Sequence, residues 1–164
     1  MNDSRKRAII CGHTGATGIL VLDELVKASW ISEIITIGRR SCQKYLNNSK
    51  VRQIFVDDMS DLSGINIDEI GKVDLAFDLI ATSVKDAFKG EEAYRKVDVQ
   101  MTSEFARFAR NSGAEFLSAI GMVPIKETDY AFKAKTDFEN YVRTLDYARL
   151  AFMKPMWVNR ESLS

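Results

Sequence analysis

Residues 11–18 read CGHTGATG: three glycines, Gly12, Gly15 and Gly18, each three residues from the next. Before them lies the apolar run RAIIC (Arg7 to Cys11). After them Ile19, Leu20, Leu22, Val26 and Trp30 fall mostly on one helical face, with Asp23, Glu24 and Lys27 on the other. The pattern predicts a strand, a glycine turn and a helix. In such a turn at the carboxyl edge of a parallel sheet, the first glycine permits the tight turn and the second lets backbone approach a pyrophosphate. The third lets the helix pack closely on the strand. The free N–H groups and dipole of the helix N-terminus then favour the anion. The spacing is GxxGxxG, not GxGxxG. Thr14 and Thr17 add hydroxyls, so Gly12, Thr14, Gly15, Ala16, Thr17 and Gly18 form a candidate dinucleotide-binding loop. A turn with a tight packing site would need the same glycines, and the flanking strand and helix favour the binding role.

Working outward, EIITIG (Glu33 to Gly38) and VRQIFV (Val51 to Val56) are rich in β-branched residues, and VDLAFDLIA (Val73 to Ala81) is nearly continuous in apolarity, as in a strand covered on both faces. AEFLSAI (Ala114 to Ile120) and ARLAFM (Ala148 to Met153) supply a fifth and a sixth strand. Helices are expected over Glu91 to Asn111, with Gly113 as its stop, and over Asp129 to Leu145. Alternating strands and helices predict an α/β fold, a doubly wound parallel sheet of Rossmann type in the order 3-2-1-4-5-6 with helices on both faces. No linker divides the chain, so the expectation is one dinucleotide-binding domain over residues 1–164 with little or no C-terminal substrate lobe.

Charge and composition narrow the function classes. Lys plus Arg and Asp plus Glu both number 23 in 164 residues, so no overall basic field draws the chain to nucleic acid. No apolar run approaches the roughly 20 residues of a membrane span. The two cysteines, Cys11 and Cys42, are too few for a disulfide framework, which suggests a reducing compartment and a cytoplasmic location. His13 is the only histidine, which leaves little basis for a catalytic triad or metal centre.

The second strand ends in Gly38-Arg39-Arg40. In this fold that strand end meets the adenosine ribose, where an acid selects the 2′-hydroxyl of NAD and an arginine accommodates the 2′-phosphate of NADP. Arg39 and Arg40, with no acid beside them, favour NADP(H) over a merely solvated basic turn. After the third strand, Asp57 and Asp58 suit either a hydrogen bond to the adenine amino group or a helix cap.

Cys11 to Gly18, TIGRR (Thr36 to Arg40), Val97-Asp98, FLSAIG (Phe116 to Gly121) and KTDFENYVRTLDYARLAFMKP (Lys135 to Pro155) together resemble the atypical short-chain dehydrogenase/reductases, nearest to the Tat-interactive-protein-like oxidoreductases. The resemblance implies an NADPH-binding Rossmann protein, with Ile80, Ala81 and Val158 among its cofactor contacts and a small carbonyl compound as substrate. It also implies a Tyr-x-x-x-Lys pair, whose lysine holds the nicotinamide ribose and lowers the pKa of a tyrosine acting as general acid. Lys135 takes the lysine position, but Ala131 stands four residues before it. Tyr130 misses the place by one residue, about 100° around a helix. Lys133 shares a face with Tyr130 and makes a displaced pair conceivable; otherwise Tyr130 is a packing residue. Of the serines usual on the fifth strand, Ser118 is present and Ala119 replaces its neighbour, and Lys154-Pro155-Met156 replaces Arg-Pro-Gly. Two functions remain: a weak carbonyl reductase using Lys135, Tyr130 and Ser118, or a non-catalytic NADPH-sensing module that presents a surface to a protein partner.

Overall fold

The computed structural model describes residues 5–82, 90–122 and 129–155. Strands β1 (Lys6–Cys11), β2 (Ile31–Gly38), β3 (Val51–Phe55), β4 (Leu75–Asp78), β5 (Phe116–Ile120) and β6 (Arg149–Met153) form one sheet in the order β3-β2-β1-β4-β5-β6. All its pairings are parallel. This is the doubly wound order expected from the alternation of strands and helices. At the carboxyl edge Cys11 sits between Ile37 of β2 and Asp78 of β4.

The alternation along β1 sorts side chains to two cores. Ala8 and Ile10 face Leu22 and Leu25 of helix α1 (Ala16–Lys27). Ile9 and Cys11 face the opposite core, which contains Phe105, Phe108, Phe138 and Val142. Those residues come from α3, a helix in three consecutive segments (Glu91–Arg95, Lys96–Met101 and Thr102–Asn111), and from α4 (Tyr130–Arg143). Phe105 and Phe138 are wholly buried, each a burial worth about 1.5–3 kcal/mol.

Several boundaries differ from the sequence expectation. Helix α1 stops at Lys27 because its C-cap Ala28 is extended, which leaves Trp30 off the helix and half exposed. Strand β4 is confined to four residues; the N–H of Leu79 donates to the Cys11 carbonyl as the chain leaves the sheet. A short helix α2 (Ile67–Ile70), capped by the Asn66 side chain, had no periodicity long enough to announce it. Helix α3 covers the expected span and ends before Gly113, whose φ of 97° suits glycine. Its central segment is π-wound. Asp98 lies in this segment and is fully buried.

Candidate dinucleotide site

The loop from Gly12 to Gly15 leaves β1 and opens α1. Gly12 has φ of 71°, and a Cβ there would lie 2.4 Å from the Leu79 carbonyl carbon. At Gly18 a Cβ would lie 2.0 Å from the Gly12 carbonyl oxygen. Both positions therefore exclude any side chain. Gly15 differs: its Cβ would be 3.3 Å from the same oxygen, so a small side chain needs only a slight shift. As the N-cap of α1 it supplies no side-chain cap, and no acid lies in the first helical turn. The helix N-terminus is thus bare toward an anion.

This loop forms the floor of a cleft of about 360 Å³. Gly12, Thr14, Gly15, Ala16, Thr17, Gly18, Arg39, Arg40, Ile80 and Ala81 all line it, so the structure brings together most of the cofactor residues chosen from sequence. Also on its walls are Val97, from the Val97-Asp98 motif, and His13, Met59 and Met101, which carry no recognisable dinucleotide signal in the sequence. Asp57 is exposed and is not part of the lining. Val158 lies outside the described residues.

The glycine loop is tied to the end of β2. His13 is 2% exposed, and its Nε2 lies 3.3 Å from the Arg40 carbonyl oxygen. Burial lowers its pKa, which favours the neutral imidazole. Arg40 reaches back, its Nη2 donating to Thr14 Oγ1 at 3.3 Å.

Buried acids hold the opposite wall. Asp78 accepts at Oδ1 from the Cys11 thiol (3.2 Å) and from the Ile80 N–H (3.1 Å). Burial pushes the Asp78 carboxyl up to about 7, against the opposing pull of the Cys11 hydrogen bond and the Lys135 charge. Burial and the Asp78 charge likewise push the Cys11 thiol up. Asp98 accepts at Oδ2 from both the N–H (2.9 Å) and the hydroxyl of Thr82, and its Oδ1 lies 2.6 Å from Lys135 Nζ.

None of the three candidate catalytic residues is among the described residues that line the cleft. Lys135 is 3% exposed and its ammonium faces Asp98. Tyr130 opens α4 and meets the Tyr94 ring edge-on at 5.6 Å between centroids. Ser118 sits mid-strand in β5, paired with Phe77 and Ala151, whereas Ile120 at the strand end reaches the cleft. Among the described residues no group of His, Cys, Asp and Glu could hold a metal ion, and no helix is long and apolar enough to cross a membrane.

No family model matches the chain. A curated relative, the mitochondrial protein FMP52 of Debaryomyces hansenii, is 24% identical over 150 residues, covering 90% of this chain and 65% of that protein. Among solved structures, Pen from Bacillus thuringiensis superposes with a TM-score of 0.73 at 13% identity, over 91% of this chain and 50% of that one. WbmG of Bordetella bronchiseptica, in complex with NAD, gives 0.70 at 15% identity over 92% and 53%. DesIV of Streptomyces venezuelae, a dTDP-glucose 4,6-dehydratase with NAD bound, gives 0.69 at 16% over 84% and 51%. The chain has a Rossmann fold, a doubly wound parallel sheet shared with these solved structures. It spans about half the length of these solved structures and 65% of FMP52. FMP52 also corrects the expectation of a cytoplasmic protein, since that relative is mitochondrial. A low cysteine count reports redox conditions, not an address.

Proposed function

We propose that the cleft binds a nicotinamide dinucleotide, with NADP(H) preferred over NAD(H), in an oxidoreductase-like domain. The bare N-terminus of α1 carries the reading: two of its glycines admit no Cβ, it lacks a capping side chain, and Arg40 is held beside Thr14. The pyrophosphate lies over residues 12 to 18, and the adenosine 2′-phosphate meets Arg39 and Arg40. Ile80 and Ala81 face the nicotinamide half. Bound NADPH supplies hydride, and this chain's residues fix the cofactor's orientation. The location of FMP52 supports a mitochondrial setting.

Within this reading the domain acts as a weak carbonyl reductase. The placement of Lys135 against Asp98 favours a second reading, an NADPH-sensing module without catalysis that presents a surface to a protein partner. Residues 1–164 as one cofactor-binding domain, with Val158 and Asp57 as further contacts, belong to the proposal.

Calorimetric titration with NADPH and NADH tests the binding. NADPH binds more tightly, and Arg40→Ala costs about 1.5–3 kcal/mol for NADPH and little for NADH. Equal affinities in the parent protein overturn the cofactor preference. A screen of carbonyl compounds by NADPH oxidation separates the two readings: tight binding without turnover leaves the sensing module.

A further inference from the structure

We infer that His13 is a positioning residue that sets the preference for a 2′-phosphorylated dinucleotide by pinning Arg40. The inference rests on the proposed NADP(H) reading and names a residue outside the arginine pair on which that reading stands.

The histidine follows the first glycine of the loop, and its ring is driven across to β2. A Cβ at Gly38 would lie 2.8 Å from His13 Cε1, so the imidazole occupies the space a side chain there would need. Gly38 is therefore the counterpart of His13 as well as the end of the strand. Its carbonyl accepts from the N–H of Val56 at 3.2 Å, which ties the same turn to the chain leaving β3.

The ring also fixes Arg40. Facing a carbonyl oxygen, Nε2 must carry the proton, because two acceptors would repel. The neutral imidazole then donates once, to the Arg40 carbonyl, and adds no positive charge beside the two arginines. At the far end of the same residue the guanidinium donates to Thr14. Consecutive loop residues, His13 and Thr14, thus hold the backbone and the tip of Arg40.

An arginine side chain carries about 2 kcal/mol of rotamer entropy, and a guanidinium fixed before the ligand arrives loses less of it on binding. A 2′-phosphate gains from that fixed charge, whereas a 2′-hydroxyl has no negative charge to place against it. His13 therefore acts on the difference between the two nucleotides, through Arg40.

The test uses His13→Phe, which keeps a planar ring without the N–H, and His13→Gln, which keeps a donor near the Nε2 position. His13→Phe reduces the ratio of NADPH to NADH affinity about tenfold, the value of one hydrogen bond of ordinary net strength, and His13→Gln restores most of it. The ratio of 2′,5′-ADP to 5′-AMP affinity follows the same pattern.

A parent protein with no preference for NADPH removes the cofactor reading and this inference together. A parental preference that persists in His13→Phe, or an equal loss for both nucleotides, overturns the role of His13 alone. A readout on the parent protein covers the case in which His13→Phe does not fold. His13 is the only histidine, so its imidazole nitrogen resonances are unambiguous. They report the Nε2–H tautomer and move more with NADPH than with NADH; equal movement, or the other tautomer, overturns the inference.

Discussion

The two walls of the cleft are built from opposite materials. On the β1–α1–β2 side the surface is backbone and cation: glycines whose Cβ positions are filled by carbonyl groups, a bare helix N-terminus, and Arg40 tied to Thr14. On the β4–α3–α4 side the chain is held from beneath by acids. Asp78 tethers Ile80, Asp98 tethers Thr82, and Lys135 balances Asp98. The first wall works by leaving side chains out, which costs little in solvation. The second takes ionisable groups out of water, which is expensive unless each one is paired. Binding capacity and folding stability are therefore separable on the first wall at Gly15, where a Cβ has room, and entangled on the second.

The largest effect that sharpens this contrast comes from two glycines three residues apart. Gly18→Ala places a methyl carbon 2.0 Å from the Gly12 carbonyl, so backbone must move. Stability falls by at least about 3 kcal/mol, the upper end of ordinary overpacking, and dinucleotide binding falls with it. Gly15→Val keeps the fold, because its Cβ meets only one atom, at 3.3 Å, yet its branched side chain occupies the place proposed for the pyrophosphate. Denaturant melts alongside NADPH titration check both. A stable Gly18→Ala protein removes the idea that this turn tolerates no Cβ.

On the second wall, Asp98→Ala leaves Lys135 buried and unpaired and costs about 3–5 kcal/mol. Replacing both members of the pair, Asp98→Leu with Lys135→Met, regains much of that loss, because a well-packed apolar pair is often neutral relative to a buried ion pair. Urea denaturation of the single and double variants measures the coupling. If Asp98→Ala is as stable as the parent, the pair does not hold the wall.

Asp78 gives the same wall a pH signature. Its folded carboxyl sits at about 7 against an ordinary value of 3.8, so between these values the folded state binds the proton that the unfolded state has released. Stability is greatest below pH 4 as far as this group is concerned. It falls as pH rises toward 7 and is level above that, for a total on the order of 4 kcal/mol. Cys11 on β1, Asp98 on α3, Lys135 on α4 and Tyr147 before β6 are the ionisable groups around it. Asp78→Asn keeps an oxygen for the Ile80 N–H and flattens the profile between about pH 4 and 7 in thermal melts. An unchanged slope in that variant assigns the pH dependence to other groups.

The contrast also explains what the sequence could disclose. Gly12 and Gly18 were legible because an absence of side chains leaves few choices, and Gly38-Arg39-Arg40 because its place at the end of β2 follows from the strand pattern. The sheet order followed from the alternation of elements. By contrast, the Cys11 to Asp78 bond spans 67 residues, and nothing in either neighbourhood announces the other. Val97-Asp98 is a recognisable motif, but the π-wound segment in which Asp98 lies buried has no composition signal. The position of Lys135 in a pattern implies a catalytic role, and only tertiary structure gives it Asp98 as a partner. Nothing beside His13 in the chain announces its contacts with Gly38 and Arg40.

The smallest expected effect is at Ala131, four residues before Lys135, where a tyrosine would complete the proton-transfer pair. General acid catalysis is worth about 10² to 10⁴-fold where the acid is matched to its task. A phenol near pKa 10 needs a nearby cation for that match. The ammonium that would serve is 2.6 Å from the Asp98 carboxylate, so its charge is already offset. Ala131→Tyr should therefore raise carbonyl reduction less than about tenfold, a small fraction of what a matched acid supplies. NADPH affinity should hardly change, because the glycine loop and Arg40 are untouched. NADPH oxidation with a panel of aldehydes and ketones measures the gain. A rise of a hundredfold or more would show that Lys135 still lowers the phenol pKa from its buried pair, and the two walls would then share the chemistry.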